Sequence, residues 1–398
     1  MRWGEVFFSV GSLLICIGIS LLFPIAIALV YHENCTMDLG GSLLLCCGVG
    51  GLLVYCFKGR RQDYISSREG IAIVSLGWVA ACAFGALPFL FTGTFSTVVD
   101  CLFESVSGFT TTGASVMTEI EHHPKAILMW RSLIQWLGGM GIIVLSLAIL
   151  PFLGVGGMQL YKAEVPSPVP DKLKPRLKDT AVVLWKVYTI MTVAEILLLL
   201  IGGMSLYDAI SHAFTTLPTG GFSTKNTSVA HYNSLYIEMV ISLFMLLAGI
   251  NFSLHYQLLK GKHLAFWKDP ECRFYMGIVI LMVFITTFNI WGQVYESIFQ
   301  AGRNACFQIV SIITTTGYAT ADYEKWPAMS RHILLLAMFI GGCAGSTGGG
   351  MKCLRILLCL KYCYQGLFKL IHPKAVMVIK IGGKAVPEDV IHSVLGFL

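Results

Sequence analysis

Ser107-Gly108-Phe109-Thr110-Thr111-Thr112-Gly113-Ala114-Ser115 lies between two long apolar runs, and its pattern returns twice further along the chain. Ser311-Ile312-Ile313-Thr314-Thr315-Thr316-Gly317-Tyr318-Ala319-Thr320 repeats it closely. Phe214-Thr215-Thr216-Leu217-Pro218-Thr219-Gly220-Gly221-Phe222-Ser223 replaces the middle threonines by Leu-Pro but keeps Thr-Gly. Thr112-Gly113, Thr219-Gly220 and Thr316-Gly317 are read in one register, their glycines 107 and 97 residues apart. A threonine before a helix-capping glycine is common as a single event. Three copies, each held between one apolar span and the next, make an internal repeat whose layout is that of a pore.

Around these turns the chain is 56% hydrophobic and 13% charged, with a mean hydropathy of +0.73, which excludes an ordinary soluble domain. A bilayer core of about 30 Å needs about 20 apolar residues per helix, and lipid leaves no partner for an unpaired backbone group. Eight such spans are expected, at 5–30, 39–57, 70–91, 126–153, 181–203, 232–259, 274–291 and 331–368. Segments 97–112, 205–216 and 296–314 are too short to cross and end at the Thr-Gly steps, so they read as pore helices that enter and return. The fold class is therefore an all-α polytopic membrane protein of repeated helix–pore-helix–helix units around an ion pore, preceded by two extra transmembrane helices. The expected organisation is a helix pair at 1–69, then units at 70–160, 161–262 and 263–384. Glycines crowd Gly341 to Gly350 inside the eighth span. Each costs nearly 1 kcal/mol relative to alanine in a helix, so the helix is expected to break there. Gly345 to Gly350 has the spacing of a phosphate-binding loop, but Met351 follows where lysine is needed and no strand precedes it. Gly138-Gly139 and Gly141 read as small-residue packing between helices.

Lysine and arginine set the orientation. Lys58, Arg60, Arg61 and Arg68, then Lys162, Lys172, Lys174, Arg176 and Lys178, then Lys260, Lys262, Lys268 and Arg273 occupy alternate loops, and the stretch from Lys352 to Lys384 is basic too. By the positive-inside rule these face the cytoplasm, with the N-terminus, and the Thr-Gly turns open outward among Asp100, Glu104, Glu119 and Glu121. The net charge of +6 comes from these short juxtamembrane loops and implies no nucleic-acid partner.

A cation leaving water needs replacement oxygens, and a chain turning on glycine can aim several carbonyls at one point. The C-terminal end of a pore helix adds partial negative charge. Asp100 and Asp208 begin the first two pore helices and read as caps; Lys125 and Arg131 lie near the outer end of the fourth span, placed to snorkel or to brace the turns; Glu195 is an ionisable group inside the fifth. A membrane enzyme would need converging ligands, and the ten histidines are dispersed. The thirteen cysteines lack metal spacing and sit mostly in apolar helices. A transporter of inverted repeats would point its repeats opposite ways.

These motifs, with Trp130-Arg131-Ser132-Leu133-Ile134-Gln135-Trp136-Leu137-Gly138-Gly139-Met140-Gly141 and Gly341-Gly342-Cys343-Ala344-Gly345-Ser346-Thr347-Gly348-Gly349-Gly350-Met351-Lys352, resemble the TrkH potassium transporters of the Trk/Ktr/HKT superfamily over essentially the whole chain. The resemblance implies potassium uptake, with K+ as transported ion, no covalently bound cofactor and no enzymatic activity. It implies four non-identical units, with filter residues Thr111, Thr112 and Gly113, then Pro218, Thr219 and Gly220, then Thr315, Thr316 and Gly317. K+ would be held at the last two residues of each set. Glycine and not serine at Gly113 implies potassium preference over sodium. A gating loop of Gly345, Ser346, Thr347, Gly348, Gly349 and Gly350 is implied below the filter. So are a location in the bacterial inner membrane, in contact with lipid, a homodimer, and a cytosolic TrkA-type nucleotide-binding regulatory subunit, for which the basic inner loops are suitable docking surfaces. Asn251 and His255 match the family's Asn-Phe…His-Tyr stretch, with no role assigned. Residues 385–398 are expected to begin a fourth unit whose filter strand these residues do not include. The alternatives are a sodium- or proton-coupled symporter of less strict selectivity, or a truncated, non-conducting fragment.

Overall fold

A computed structural model of the chain describes residues 2–58, 67–149, 177–375 and 377–397. Arg60, Arg61, Lys162, Lys172, Lys174 and Arg176, on which part of the expected orientation rests, lie outside the described residues, as does the inner end of the fourth expected span. Five described helices are long and apolar enough to cross a membrane, or six if one sharply bent pair counts as a single span. The chain divides into two compact units, Met1–Leu145 with Ile196–His231, and Ser146–Glu195 with Tyr232–Leu398. The sequence repeats do not coincide with them: the second pore helix belongs to the first unit and the span that follows it to the second.

In the first unit, α1 (Trp3–Ser20) and α2 (Leu22–Val30) form one span interrupted at Leu21, because Pro24 has no N–H for the carbonyl one turn earlier. α1 lies directly against α3 (Thr36–Phe57): a Cβ on Gly11 would stand 2.8 Å from the Gly50 carbonyl oxygen, and one on Gly50 2.7 Å from that of Gly11. In lipid, where apolar surface gains little by leaving the solvent, such backbone approach is what holds helices together. α4 (Ser67–Gly85) and α5 (Leu87–Phe91) meet at Pro88 by the same proline logic. α6 (Val98–Phe109) is the first pore helix, and α7 (Lys125–Ile149) packs behind it. Gly138 is required there, since any Cβ would overlap the Phe109 carbonyl, whereas a Cβ on Gly141 would stand 3.9 Å from the Trp78 ring, an ordinary contact. The core gathers Phe89, Phe109, Trp130 and Ile134, and Trp130 Nε1 donates to Gly85 O at 3.0 Å. α8 (Leu177–Ile201) crosses the division between the units and carries the buried Glu195; α9 (Leu206–Thr216) is the second pore helix. Both pore helices start on a hydroxyl cap. Thr97 Oγ1 accepts from Asp100 N and donates to its carboxylate, and Ser205 does the same for Asp208, so the caps are Thr97 and Ser205, and the acids read as caps stand instead at the third helical position and accept from the cap hydroxyls.

In the second unit, the expected continuous span 232–259 is broken. α10 (Leu235–Ala248) and α11 (Phe252–Leu259) meet at 103°. Asn251 prefers the cap to the helix interior, its Oδ1 accepting from Ser253 N at 2.8 Å, and the freed Gly249 carbonyl accepts from Cys343 N, also at 2.8 Å. α12 (Ala265–Lys268) leads to α13 (Pro270–Ile290), which has Asp269 as N-cap and proline at its first position. α14 (Ile298–Ile313) is the third pore helix. α15 (Ala328–Phe339) and α16 (Cys353–Ile371) are the halves of the eighth span, separated as expected by the glycine stretch. A hairpin of β1 (Lys380–Ile381) and β2 (Lys384–Ala385), turning on Gly382 and Gly383, precedes α17 (Glu388–Phe397), whose Ile391 and Val394 cluster with Leu358 of α16.

Candidate functional site

Each pore helix runs out into a strand with the same backbone signature. Thr111 and Gly113 have φ of 56° and 77°, Thr219 and Gly221 of 56° and 73°, and Thr315 and Gly317 of 59° and 86°. The amide hydrogen bonds agree: Thr112 N donates to Ser107 O, Gly220 N to Thr215 O and Thr316 N to Ser311 O, each five residues back. These two observations correct the register read from the sequence. Gly220 occupies the place of Thr112 and Thr316, and Gly221 is the counterpart of Gly113 and Gly317. The Thr-Gly letters misled because the second strand has Thr-Gly-Gly where the others have Thr-Thr-Gly. In an extended strand successive carbonyls point to opposite sides; a left-handed residue at every second place turns them toward one side.

The side chains follow the corrected register. Thr110 and Thr112 pair through their hydroxyls at 2.8 Å, and so do Thr314 and Thr316. The second strand has Pro218 and Gly220 at those places and no such pair. Gln135 of α7 takes over, its Nε2 donating to Gly220 O at 2.9 Å and its Oε1 accepting from Phe222 N at 3.2 Å. A Cβ at residue 220 would stand 2.6 Å from Gln135 Nε2, so glycine there makes room for the brace.

Arg131 braces rather than snorkels. It is 2% exposed, with Nε 2.5 Å from Glu104 Oε1, Nη2 donating to Ser115 Oγ at 3.0 Å and Nη1 to Ser223 O at 3.1 Å. Glu104, also buried, accepts from Val116 N at 3.1 Å. One ion pair thus ties the C-terminal ends of the first two strands together within the first unit. Lys125 does not reach them; its ammonium sits 3.7 Å over the Tyr31 ring. At the start of the second pore helix, Asp208 Oδ1 accepts from Thr224 Oγ1 at 2.7 Å. Burial pushes this carboxyl up, but the Thr224 and Ser205 hydroxyls outweigh it, with help from His212 and Lys225, and leave it below its ordinary 3.8. His212 links the same corner, one ring nitrogen 2.8 Å from Asp208 O and the other 3.2 Å from Ser223 Oγ.

The third strand lies in the second unit with the glycine loop, and the two touch. Gly349 N donates to Thr315 Oγ1 at 2.7 Å, and a Cβ on Gly348 would stand 3.3 Å from Thr314 O. The loop closes on itself, Gly341 N donating to Met351 O at 2.9 Å, and the Lys352 ammonium donates to Gly348 O. It is seated in the break between α10 and α11: Cys343 N on Gly249 O, Thr347 Oγ1 on Ala248 O at 3.2 Å, and Phe252 N on Gly345 O at 3.1 Å. Asn251 and His255 thereby acquire places. Asn251 caps the second half of the broken span beside Gly345, and a His255 ring nitrogen meets Leu247 O at 2.9 Å.

A cation transport protein family, TrkH, matches residues 41–398. The Trk system potassium uptake protein TrkH of Salmonella typhimurium is 43% identical over 98% of this chain and 81% of its own length. The chain belongs to the TrkH family. Trk system potassium uptake protein TrkG of Escherichia coli is 36% identical over 97% of this chain and 80% of its own. The crystal structure of the potassium transporter TrkH from Vibrio parahaemolyticus superposes with a TM-score of 0.91 at 37% identity, covering all of this chain and 82% of that one. Within this TrkH-family chain, Gln135 carries a structural duty that the sequence did not single out, and so does Glu104, read only as one of the acids around the turns. Gln135 stood inside a quoted family segment, and a polar residue facing inward on an apolar helix was the available signal.

Proposed function

We propose that this chain is the ion-translocating subunit of a Trk-type potassium uptake system in the bacterial plasma membrane. The observation that carries it is the strand following each of three pore helices, with left-handed backbone at every second residue and, in the third strand, direct contact with a glycine loop. K+ is the transported ion, and the chain acts as a transporter and not as an enzyme. In this reading carbonyls of Thr111-Thr112-Gly113, Thr219-Gly220-Gly221 and Thr315-Thr316-Gly317 replace water around the ion. Carbonyl dipoles suit a weakly hydrated monovalent cation, and the ends of α6, α9 and α14 add their partial negative charge. Gly220 O already accepts one hydrogen bond from Gln135 and retains a second lone pair. The loop Gly345–Gly350, hydrogen-bonded to Thr315, closes the path on the side away from the outer mouth. Homodimer formation, a cytoplasmic N-terminus and docking of a TrkA-type nucleotide-binding subunit on the basic inner surface, including Lys260, Lys262 and Lys268, complete the proposal.

The test is ion flux in proteoliposomes. The parent chain is expected to carry Rb+ and K+ well above Na+, and serine in place of Gly113, Gly221 or Gly317 is expected to narrow that ratio. Equal permeation of K+ and Na+ by the parent, or unchanged ratios in all three variants, refutes the reading.

A further inference from the structure

We infer that Glu271 is the latch of the glycine loop, a positioning residue that holds the loop in its closed seat; this rests on reading that loop as a gate. Glu271 stands in the first turn of α13 and is 6% exposed. Its Oε1 accepts from Ala344 N at 2.7 Å and from Leu354 N at 2.9 Å. One carboxylate oxygen therefore pins a residue inside the loop and the second residue of the helix that follows it. The loop's seats on Gly249, Ala248, Phe252 and Thr315 join neutral groups, so the bonds to Glu271 are the charge-assisted holds drawn from another helix.

The N-terminus of α16, where Leu354 N lies, directs partial positive charge at this carboxylate, and the first turn of α13 is itself a favourable place for an acid. Glu271 also lines a cavity of about 560 Å³ with Asn251, Lys262, Lys268 and Leu354. The carboxylate thus has open space beside it to move into when the loop leaves. Release of Oε1 detaches Ala344 and the start of α16 together, and the strain on the remaining neutral seats, including Gly349 on Thr315, falls on weaker bonds. Nothing in the repeat pattern pointed to this residue, because the acid lies at a helix start and its partners are 73 and 83 residues away.

The loop carries its own reporters. Cys343 and Cys353 flank Ala344 and Leu354 and are 1% and 0% exposed. The test compares Glu271→Met, which keeps length and loses the acceptor, with Glu271→Gln, whose single carbonyl oxygen can accept the same two N–H groups. Maleimide labelling of Cys343 and Cys353, read by peptide mass spectrometry, is run beside resting Rb+ flux and the K+ to Na+ ratio in reconstituted protein. Glu271→Met is expected to label about tenfold faster and to raise resting flux with the ion ratio kept. Glu271→Gln, which keeps the acceptor but loses its charge, is expected to lie between the parent and Glu271→Met on both readouts. Glu271→Asp, too short to reach both amides, falls between and serves if the Met variant does not fold. Unchanged labelling in Glu271→Met, or equal labelling in the Met and Gln variants, overturns the latch. Faster labelling with parental flux overturns its gating role. A parent that carries no Rb+ is the separate failure of the transport reading, and the labelling contrast still decides whether Glu271 holds the loop.

Discussion

Substituting alanine for Gly220 and for Gly221 separates two physical reasons for glycine in adjacent residues. Gly221 has φ of 73°, where an L-residue loses roughly 1–2 kcal/mol to the clash of its Cβ with the following carbonyl. Gly220 is not in that region; its Cβ would be 2.5 Å from Gln135 Oε1 and 2.6 Å from Nε2. Alanine at 220 therefore displaces the carboxamide and loses its bonds to Gly220 O and Phe222 N, about 1 kcal/mol each. The two single variants are expected to be comparably destabilised, by about 1–2 kcal/mol. They part company in a Gln135→Ala background. The Gly220 penalty shrinks because the obstructing side chain is gone, giving a coupling of about 1 kcal/mol or more, whereas the Gly221 penalty persists and couples by under about 0.5 kcal/mol. Thermal unfolding in detergent measures the cycle, and K+ to Na+ competition during Rb+ uptake measures its consequence. A coupling to Gln135 as large at Gly221 as at Gly220 would sink the corrected register.

Arg131→Met leaves the Glu104 carboxylate buried without its partner, and a loss of about 3–5 kcal/mol is expected, with partial recovery when Glu104→Gln is added; unfolding midpoints of the two proteins decide this. Asp208 has its folded value depressed below 3.8, so its contribution is present above that pH and is lost only as pH falls through the lower folded value. Accordingly, acidification from pH 7 to 5 is expected to leave the second pore helix cap intact, and the stability difference between the parent and Asp208→Asn to vanish only well below pH 4, as read from unfolding midpoints across that range.

The pore helices, the break at the glycine stretch and the helix starts at Asp100 and Asp208 were legible because each depends on local chemistry: span length, glycine propensity, and hydroxyl and carboxyl groups at helix starts. The bend at Gly249–Asn251 was not, since a glycine and an asparagine within Leu235–Leu259 mark a weak point without showing that another segment will occupy it. The folded contact of Cys343 N with Gly249 O, added to the Asn251 cap, gives the break its full reason. The register of the second strand failed for a related cause. Letters align by identity, whereas the backbone aligns by handedness, and Thr-Gly-Gly satisfies the required handedness one residue later than Thr-Thr-Gly suggests. Arg131 was visible as a polar residue near a span end; that it reaches Ser115 and Ser223 from one guanidinium is long-range information that spacing does not hold.

Threonine at the left-handed positions is the least expected choice, since a β-branched residue with positive φ is a genuine outlier. Thr111, Thr219 and Thr315 all adopt it, and each carries roughly 1–2 kcal/mol of strain that neighbouring bonds must overcome. The compensation is visible: each of these threonines donates its amide three residues back, to Gly108, Thr216 and Ile312, and the next residue donates five back, so the turn is hydrogen-bonded on both sides of the strained residue. Stiffness is the return on that strain, because a threonine so held has few alternative dihedrals, whereas glycine would let the peptide plane turn over. Thr111→Gly is therefore expected to leave stability within about 1 kcal/mol of the parent, relief of strain offsetting the greater entropy of unfolded glycine and the loss of a side chain that is 8% exposed. The same change is expected to lower the K+ to Na+ flux ratio severalfold, since a strand whose carbonyls can turn away discriminates less well between ions. Stability and selectivity should thus separate in one variant. A loss of more than about 2 kcal/mol would mean that the threonine side chain, and not its backbone constraint, sustains the turn; an unchanged ratio in a protein of parental stability would mean that the stiffness of this strand plays no part in choosing the ion.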